Sequence, residues 1–114
     1  MVYDGEFLND LMHGKGFLKS QEEKWEFSGD FNRGKRDGYG VYTYKNCDKY
    51  VGEWLNNQMH GKGKYTWGVD GRTTEGNWQF GKKHGEHFFV APERREKHFW
   101  REGILVKKCI IMSF

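Results

Sequence analysis

Four glycines set the period of this chain and limit what it can fold into. Gly5, Gly29, Gly52 and Gly76 follow one another at intervals of 24, 23 and 24 residues. Nine residues after each stands a second glycine: Gly14, Gly38, Gly61 and Gly85. Two residues further on, three units carry a third (Gly16, Gly40, Gly63), where the fourth has His87. An aromatic follows the first glycine by two in every unit, as Phe7, Phe31, Trp54 and Trp78. Another precedes it by two in three units, as Tyr3, Phe27 and Tyr50, with Thr74 in the fourth. Such a period marks a stack of repeats in which each unit buries its apolar face only against its neighbours.

The aromatic column returns at Trp100, 22 residues after Trp78, but His98 and Lys107 stand where glycines are expected. This fifth unit ends in Ile110-Ile111-Met112-Ser113-Phe114 and reads as a degenerate C-terminal cap. The chain is thus expected to form one array over 1–114, with units at about 3–26, 27–49, 50–73, 74–96 and 97–114. No N-terminal cap precedes Tyr3, so we expect an edge strand that either pairs with another molecule, a second copy included, or belongs to a longer array.

Within a unit the alternation is two-fold. Tyr50, Gly52 and Trp54 share one face of a strand, and Gly61, Gly63, Tyr65 and Trp67 share one face of the next. Asn56-Asn57, Arg33-Gly34 and Phe80-Gly81 fall between such strands and tolerate left-handed backbone, so each unit reads as a β-hairpin with a loop of four to six residues. Glycine in the strands leaves slots where rings lie on bare backbone, and a large ring supplies the burial that a one-layer sheet lacks. The expected fold class is all-β: an elongated single-layer antiparallel meander of consecutive hairpins. Nine or ten strands at ~4.8 Å would extend on the order of 45 Å. Residues 91–98, "APERREKH", fit a helix, a loop or a long connection equally well.

Composition agrees with a thin sheet. Aromatics are 18%, there are 16 glycines and one proline, and mean hydropathy is −0.96, too polar for a thick aliphatic core and too aromatic for a disordered chain. A net charge of +3 does not mark a nucleic-acid binder. Met1 runs directly into charged, patterned sequence without a leader, and no apolar run approaches the ~18 residues of a membrane span. Cys47 and Cys109 lack metal-like spacing and read as reduced thiols, although spacing alone leaves a disulfide between them open. A soluble cytoplasmic protein is expected.

Reactive chemistry finds no purchase. Gly61-Lys62-Gly63 leads into the strand-like "KYTW", whereas a phosphate loop opens a helix, so these glycines serve the backbone. Glu6, Asp30 and Glu53 form one column and His13, His60 and His84 another, but equivalent positions in successive hairpins lie ~9–10 Å apart and cannot converge on one metal. Glu53 is placed to pair with Lys62 or Lys64 across the hairpin. Neither cysteine has a base and orienting partner. No enzyme, cofactor or metal is expected.

"YVGEWLNNQMHGKGKYTW" at 50–67 resembles the unit of the MORN (membrane occupation and recognition nexus) repeat family: Y-x-G-x-W, then N-G, then H-G-x-G and an aromatic strand. The resemblance covers 3–90 well and 97–108 weakly. It implies a hairpin array that serves as a cytoskeletal or ciliary scaffold, a motor-tail binder or a membrane-proximal module. Arrays of this kind also accompany lipid kinase and methyltransferase domains, so a regulatory or targeting region of a larger enzyme is an alternative.

A one-layer sheet cannot bury both faces, so rings should remain accessible along one continuous surface that includes Tyr39. The expected partner-binding residues are Tyr42, Tyr44, Trp54, Tyr65, Trp67, Trp78, Phe89 and Trp100, gripping an amphipathic helix or extended segment of another protein. A second expectation is contact with acidic phospholipid through Lys82, Lys83, Arg94, Arg95, Lys97, Lys107 and Lys108, diluted by Glu93 and Glu96.

Overall fold

The structure, a computed structural model, describes residues 1–113 and consists of consecutive antiparallel hairpins in one open sheet. The strands are β1 (Val2–Leu8), β2 (Leu11–Ser20), β3 (Trp25–Asn32), β4 (Lys35–Thr43), β5 (Lys49–Leu55), β6 (Gln58–Thr66), β7 (Thr73–Gln79), β8 (Lys82–Ala91), β9 (Arg94–Arg101) and β10 (Ile104–Ser113). Their order in the sheet is their order in the chain, and the molecule measures 51 × 25 × 19 Å. No helix is present among the described residues, so Gly61-Lys62-Gly63 lies within a strand.

Each hairpin closes more tightly than the expected four to six residues. Two residues suffice: Asn9-Asp10, Arg33-Gly34, Asn56-Asn57, Phe80-Gly81 and Glu102-Gly103, with φ near +50° at the first and between +66° and +82° at the second. This is the type I′ turn, whose twist matches the strands it joins. The longer links lie between units, over 21–24, 44–48 and 67–72. The open segment 91–98 is now settled: Ala91 ends β8, Pro92 and Glu93 make the turn, and Arg94 begins β9.

The column of acids has a backbone role. In the first three units one acidic residue of the first strand (Glu6, Asp30 or Glu53) stands opposite three residues of the second, a bulge that requires positive φ at Gly14, Gly38 and Gly61. The carboxylate accepts the N–H freed by that bulge, from Lys15 at 2.7 Å, Tyr39 at 2.9 Å and Lys62 at 2.5 Å. Glu53 therefore bonds the Lys62 backbone, whereas a side-chain pair was expected. Asp30 also meets the Lys15 ammonium, which, with the Tyr39 N–H, holds its carboxyl below the usual range against the opposing effect of burial.

The core is a chain of rings laid on glycine. Tyr50 and Phe27 are fully buried, and each lies across a glycine of the next strand, Gly63 and Gly40, where an added Cβ would collide with the ring. The Tyr50 hydroxyl donates to the Glu53 carbonyl at 3.0 Å, as Tyr3 does to Glu6 at 2.8 Å. The two aromatic columns then interlock in the order Phe7, Tyr3, Phe31, Phe27, Trp54, Tyr50, Trp78, His87. Every neighbouring pair meets edge to face, with centroids 5.0–5.4 Å apart and planes at 77–88°. Each such contact adds roughly 0.5–1.5 kcal/mol beyond the area buried.

The last ring explains the irregular fourth unit. Thr74 replaces the aromatic and His87 replaces the glycine, so the ring enters the same slot from the opposite strand. His87 is fully buried, lies over Gly76, and its Nε2 bonds the Asn77 carbonyl at 2.7 Å, the acceptor equivalent to Glu53 in the third unit. A carbonyl only accepts, so Nε2 carries the proton and Nδ1 accepts from the Thr74 hydroxyl at 2.8 Å. The imidazole is neutral, and burial, with Lys83 and His98 nearby, keeps its pKa below the usual histidine value despite the bond to Asn77.

β10 pairs with β9 and extends the sheet by one strand. Ile104, Val106 and Ile110 remain exposed along it.

This exchange is testable. Thr74→Tyr alone sets two rings in one slot, and His87→Gly alone leaves the Asn77 carbonyl without its donor; each should cost about 1–3 kcal/mol in urea unfolding. The double variant should return to within about 1 kcal/mol of the wild type, and a loss equal to the sum of the singles would refute the compensation. Because the folded pKa of His87 is depressed, its contribution is complete above the unfolded value of about 6.5 and declines as pH falls below it. That decline should be absent from the double variant. Trp54→Ala and Trp78→Ala, which remove buried links of the ring chain, should each cost about 3–5 kcal/mol in the same unfolding experiment.

Candidate interaction surface

The expected ring residues all lie on the glycine–ring face, at two depths. Trp54, Trp78 and Phe89 are buried core. Trp54 and Trp78 donate their indole N–H groups to the Gly40 and Gly63 carbonyls, at 3.4 and 3.1 Å. Tyr42, Tyr44, Tyr65, Trp67 and Trp100 are half-buried and reach solvent. Trp25, absent from the expected set, joins them by stacking on Tyr42 at 5.4 Å and 20°. Tyr42 and Tyr44 touch at 4.6 Å, Tyr44 and Tyr65 at 5.7 Å, and Tyr65 and Trp67 at 5.1 Å, so a second row of rings runs beside the first. Tyr39 is not part of it. It stands one residue out of phase, opposite Glu53, and points to the reverse face, 56% exposed.

Inter-unit loops hold this outer row. Asp48 is buried in the loop between β4 and β5 and accepts the Tyr65 hydroxyl at 2.5 Å and the Gly68 N–H at 2.8 Å. Burial alone would raise its pKa, but these bonds and Asn46 hold it below the usual carboxylate value. The same carboxylate, after burial itself, pushes the Tyr65 phenol well above its ordinary range. Burial raises Tyr44 to about 12. Both phenols are therefore neutral donors at physiological pH. Sequence reasoning missed Asp48, although two-residue phase placed it on the ring face with Tyr50, Gly52 and Trp54.

The seven basic residues do not form one patch. Lys83 lies on the ring face, with Nζ 4.1 Å from the Trp100 centroid and 5.4 Å from that of Trp67. Arg94 covers Phe89 and pairs with the buried Glu96 at 2.6 Å. Glu96 also meets His98 at 2.8 Å, an inward-facing cluster that sequence reasoning did not find. Lys97 is on the reverse face, paired with Glu86 at 3.3 Å, and Lys107 lies over Phe99 there. Arg95 faces Val90 on that side and its guanidinium approaches Met112 Sδ at 3.9 Å. Lys82 and Lys108 are exposed, the latter opposite His98.

The reverse face carries an open trough of about 760 Å³, floored by the backbone of Gly52, Gly63 and Gly76 and walled by Val51, Lys64, Glu75 and Phe88. Cys47 and Cys109 are both exposed and unpaired. Among the described residues no three His, Cys, Asp or Glu side chains are grouped to hold a metal, and His60 instead packs on Phe80 at 5.6 Å.

Comparison with known proteins agrees with this architecture. The chain is 35% identical over 95 residues to MORN repeat-containing protein 3 of Xenopus laevis, covering 80% of this chain and 32% of that protein. It is 40% identical over 89 residues to alsin of Rattus norvegicus and of Homo sapiens, covering 74% of this chain and 5% of alsin. The chain thus spans a third or less of the relatives it matches. The MORN repeat pattern itself matches residues 3–21, 27–46, 50–72 and 75–86, and the chain belongs to the MORN repeat family.

Proposed function

We propose that this chain is a non-catalytic protein-binding module, a scaffold that grips a helical or extended segment of another protein on its ring face. The observation that carries this reading is the outer row Trp25, Tyr42, Tyr44, Tyr65 and Trp67, continuous, half-exposed and seated on a core that orders it before any partner arrives. Ordered aromatic rings lose little entropy on binding and are favoured anchors. Its setting in this reading is the cytoplasm, at cytoskeletal, ciliary or membrane-proximal assemblies. A second reading, an accessory array that targets or regulates a longer protein, is favoured by the small share of each relative that the chain spans. Recognition of acidic phospholipid by the basic C-terminal residues gains less support, because those residues divide between two faces.

The test must spare the buried rings. The chain, used as bait in a cell extract, should retain a partner that Trp25→Ala/Tyr44→Ala/Trp67→Ala loses, with circular dichroism confirming that the variant folds. Tyr39→Lys/Phe88→Lys, on the reverse face, should retain that partner. The opposite pattern would move the binding site to the glycine-floored trough.

A further inference from the structure

Two cations on the ring face have no anion among the described residues. Arg36 is half-buried, with its guanidinium carbon 4.8 Å from the Trp54 centroid, 5.2 Å from that of Tyr42 and 5.7 Å from that of Phe27. Its polar contacts are neutral: Asn57, through Nε to Oδ1 at 3.3 Å and through a terminal nitrogen to the carbonyl at 3.2 Å, and the Tyr42 hydroxyl. Lys83 is likewise half-buried, between Trp67 and Trp100. No carboxylate among the described residues pairs with either, whereas Lys15, Lys19, Arg72, Arg94 and Lys97 all have one. Burial lowers the pKa of both cations, and for Lys83 it is the sole cause.

Their places in the fold are equivalent. Each is the second residue of an even-numbered strand and faces a ring of the inner column: Arg36 opposite Phe31 and Lys83 opposite Trp78. The other even strands set Met12 opposite Phe7, Met59 opposite Trp54 and Leu105 opposite Trp100. Read across the sheet, this row runs Met12, Arg36, Met59, Lys83, Leu105, in which apolar and cationic side chains alternate every second strand. At ~4.8 Å per strand the step is ~10 Å, and the two cations stand ~19 Å apart. Backbone bonds fix the row, because the second turn residue of each following hairpin donates its N–H to the carbonyls of Met12, Arg36, Met59 and Lys83.

We propose that this row is the recognition strip of the ring face and that its occupant is an acidic, apolar segment of a partner protein, with two carboxylates ~19 Å apart and aliphatic side chains between and beyond them. The inference rests on the protein-binding reading above and names its partner's chemistry. Two half-dehydrated cations on rings lack only counter-charges, which such a segment brings. The methionines and Leu105 receive its apolar side chains, methionine adapting to varied shapes. The partner's acids would be about 13 residues apart in a helix and about six apart in an extended chain.

Selection from a random peptide library of about 16 residues, long enough for a helix to reach both cations, tests this directly. The baits are the wild type, Lys83→Met and Arg36→Met/Lys83→Met. Methionine already occupies the equivalent positions at 12 and 59, so both variants should fold, and Lys83→Met leaves the Asn57 contacts untouched. The expected result is a wild-type consensus with two acids at one of those spacings, which disappears with the double variant. A selected peptide should then bind the wild type at least ~10-fold more tightly than its glutamine counterpart, and the single variant should lose affinity in the same sense. Peptides selected without acids, or acidic peptides held equally by the double variant, would overturn the recognition strip and leave protein binding by the ring face standing. Failure to select any peptide would overturn both. Phosphatidylserine-containing vesicles form the remaining arm: capture of vesicles through Arg36 and Lys83, without acidic peptides, would replace the protein segment by a membrane.

Discussion

A sheet one layer thick has nothing to lie against, and the contact that resolves this difficulty is a ring on a bare glycine. Tyr50 over Gly63 and Phe27 over Gly40 bring an aromatic plane against the backbone, where a single Cβ would block the approach. The rings of the two columns then touch one another edge to face along the stack, from the exposed Phe7 at one end to the buried His87. Apolar burial and backbone spacing thus depend on the same positions. The repeat period follows, since every hairpin must present its glycine and its ring in register with those of its neighbours.

The fourth unit shows that the slot is conserved and the residue filling it is not. Thr74 and His87 look like two independent losses from the pattern. In space they are one exchange, because the His87 ring fills the cavity that a ring at 74 would occupy and its Nε2 reaches the carbonyl that a tyrosine hydroxyl would reach. The acid column follows another logic. Glu6, Asp30 and Glu53 satisfy an N–H released by a bulge, and the fourth unit, with Asn77, still has its register shift at Gly76 and Asn77. The recurring acids, which beside the histidine column resemble half of a repeated catalytic pair, serve bulge geometry, and His60 packs on Phe80.

Most of this architecture was legible because it is periodic. Spacing gave the hairpins, the ring face and the role of glycine, and two-residue phase gave the side of the sheet. Depth was harder to read, since Trp54 and Tyr65 carry similar pattern signals, yet one is buried against the preceding unit while the other is tied to a loop by Asp48. Bulges also spoil simple phase counting. Turn length was misjudged although the turn pairs were placed correctly, because the residues flanking each pair (Asn32 and Lys35, Leu55 and Gln58, Gln79 and Lys82) continue the ladder and leave only two residues to turn. The basic C-terminal run looks like one patch along the sequence, but alternation divides neighbours such as Arg94 and Arg95 between opposite faces.

What the repeat does not dictate is where this array becomes particular. Glycines, inner rings and turn pairs recur because the sheet needs them, so they carry little information about a partner. The second position of each even strand is different. It stands opposite a ring in every unit, yet it holds methionine, arginine, methionine, lysine and leucine in turn. A place where the fold accepts either an aliphatic chain or a cation is free to encode recognition without loss of packing. Among the described residues the two cations also lack carboxylates like those that accompany Lys15, Arg94 and Lys97. Specificity is therefore best sought in the variable row that the ring core holds in place, and the buried rings act by fixing the spacing at which that row is read.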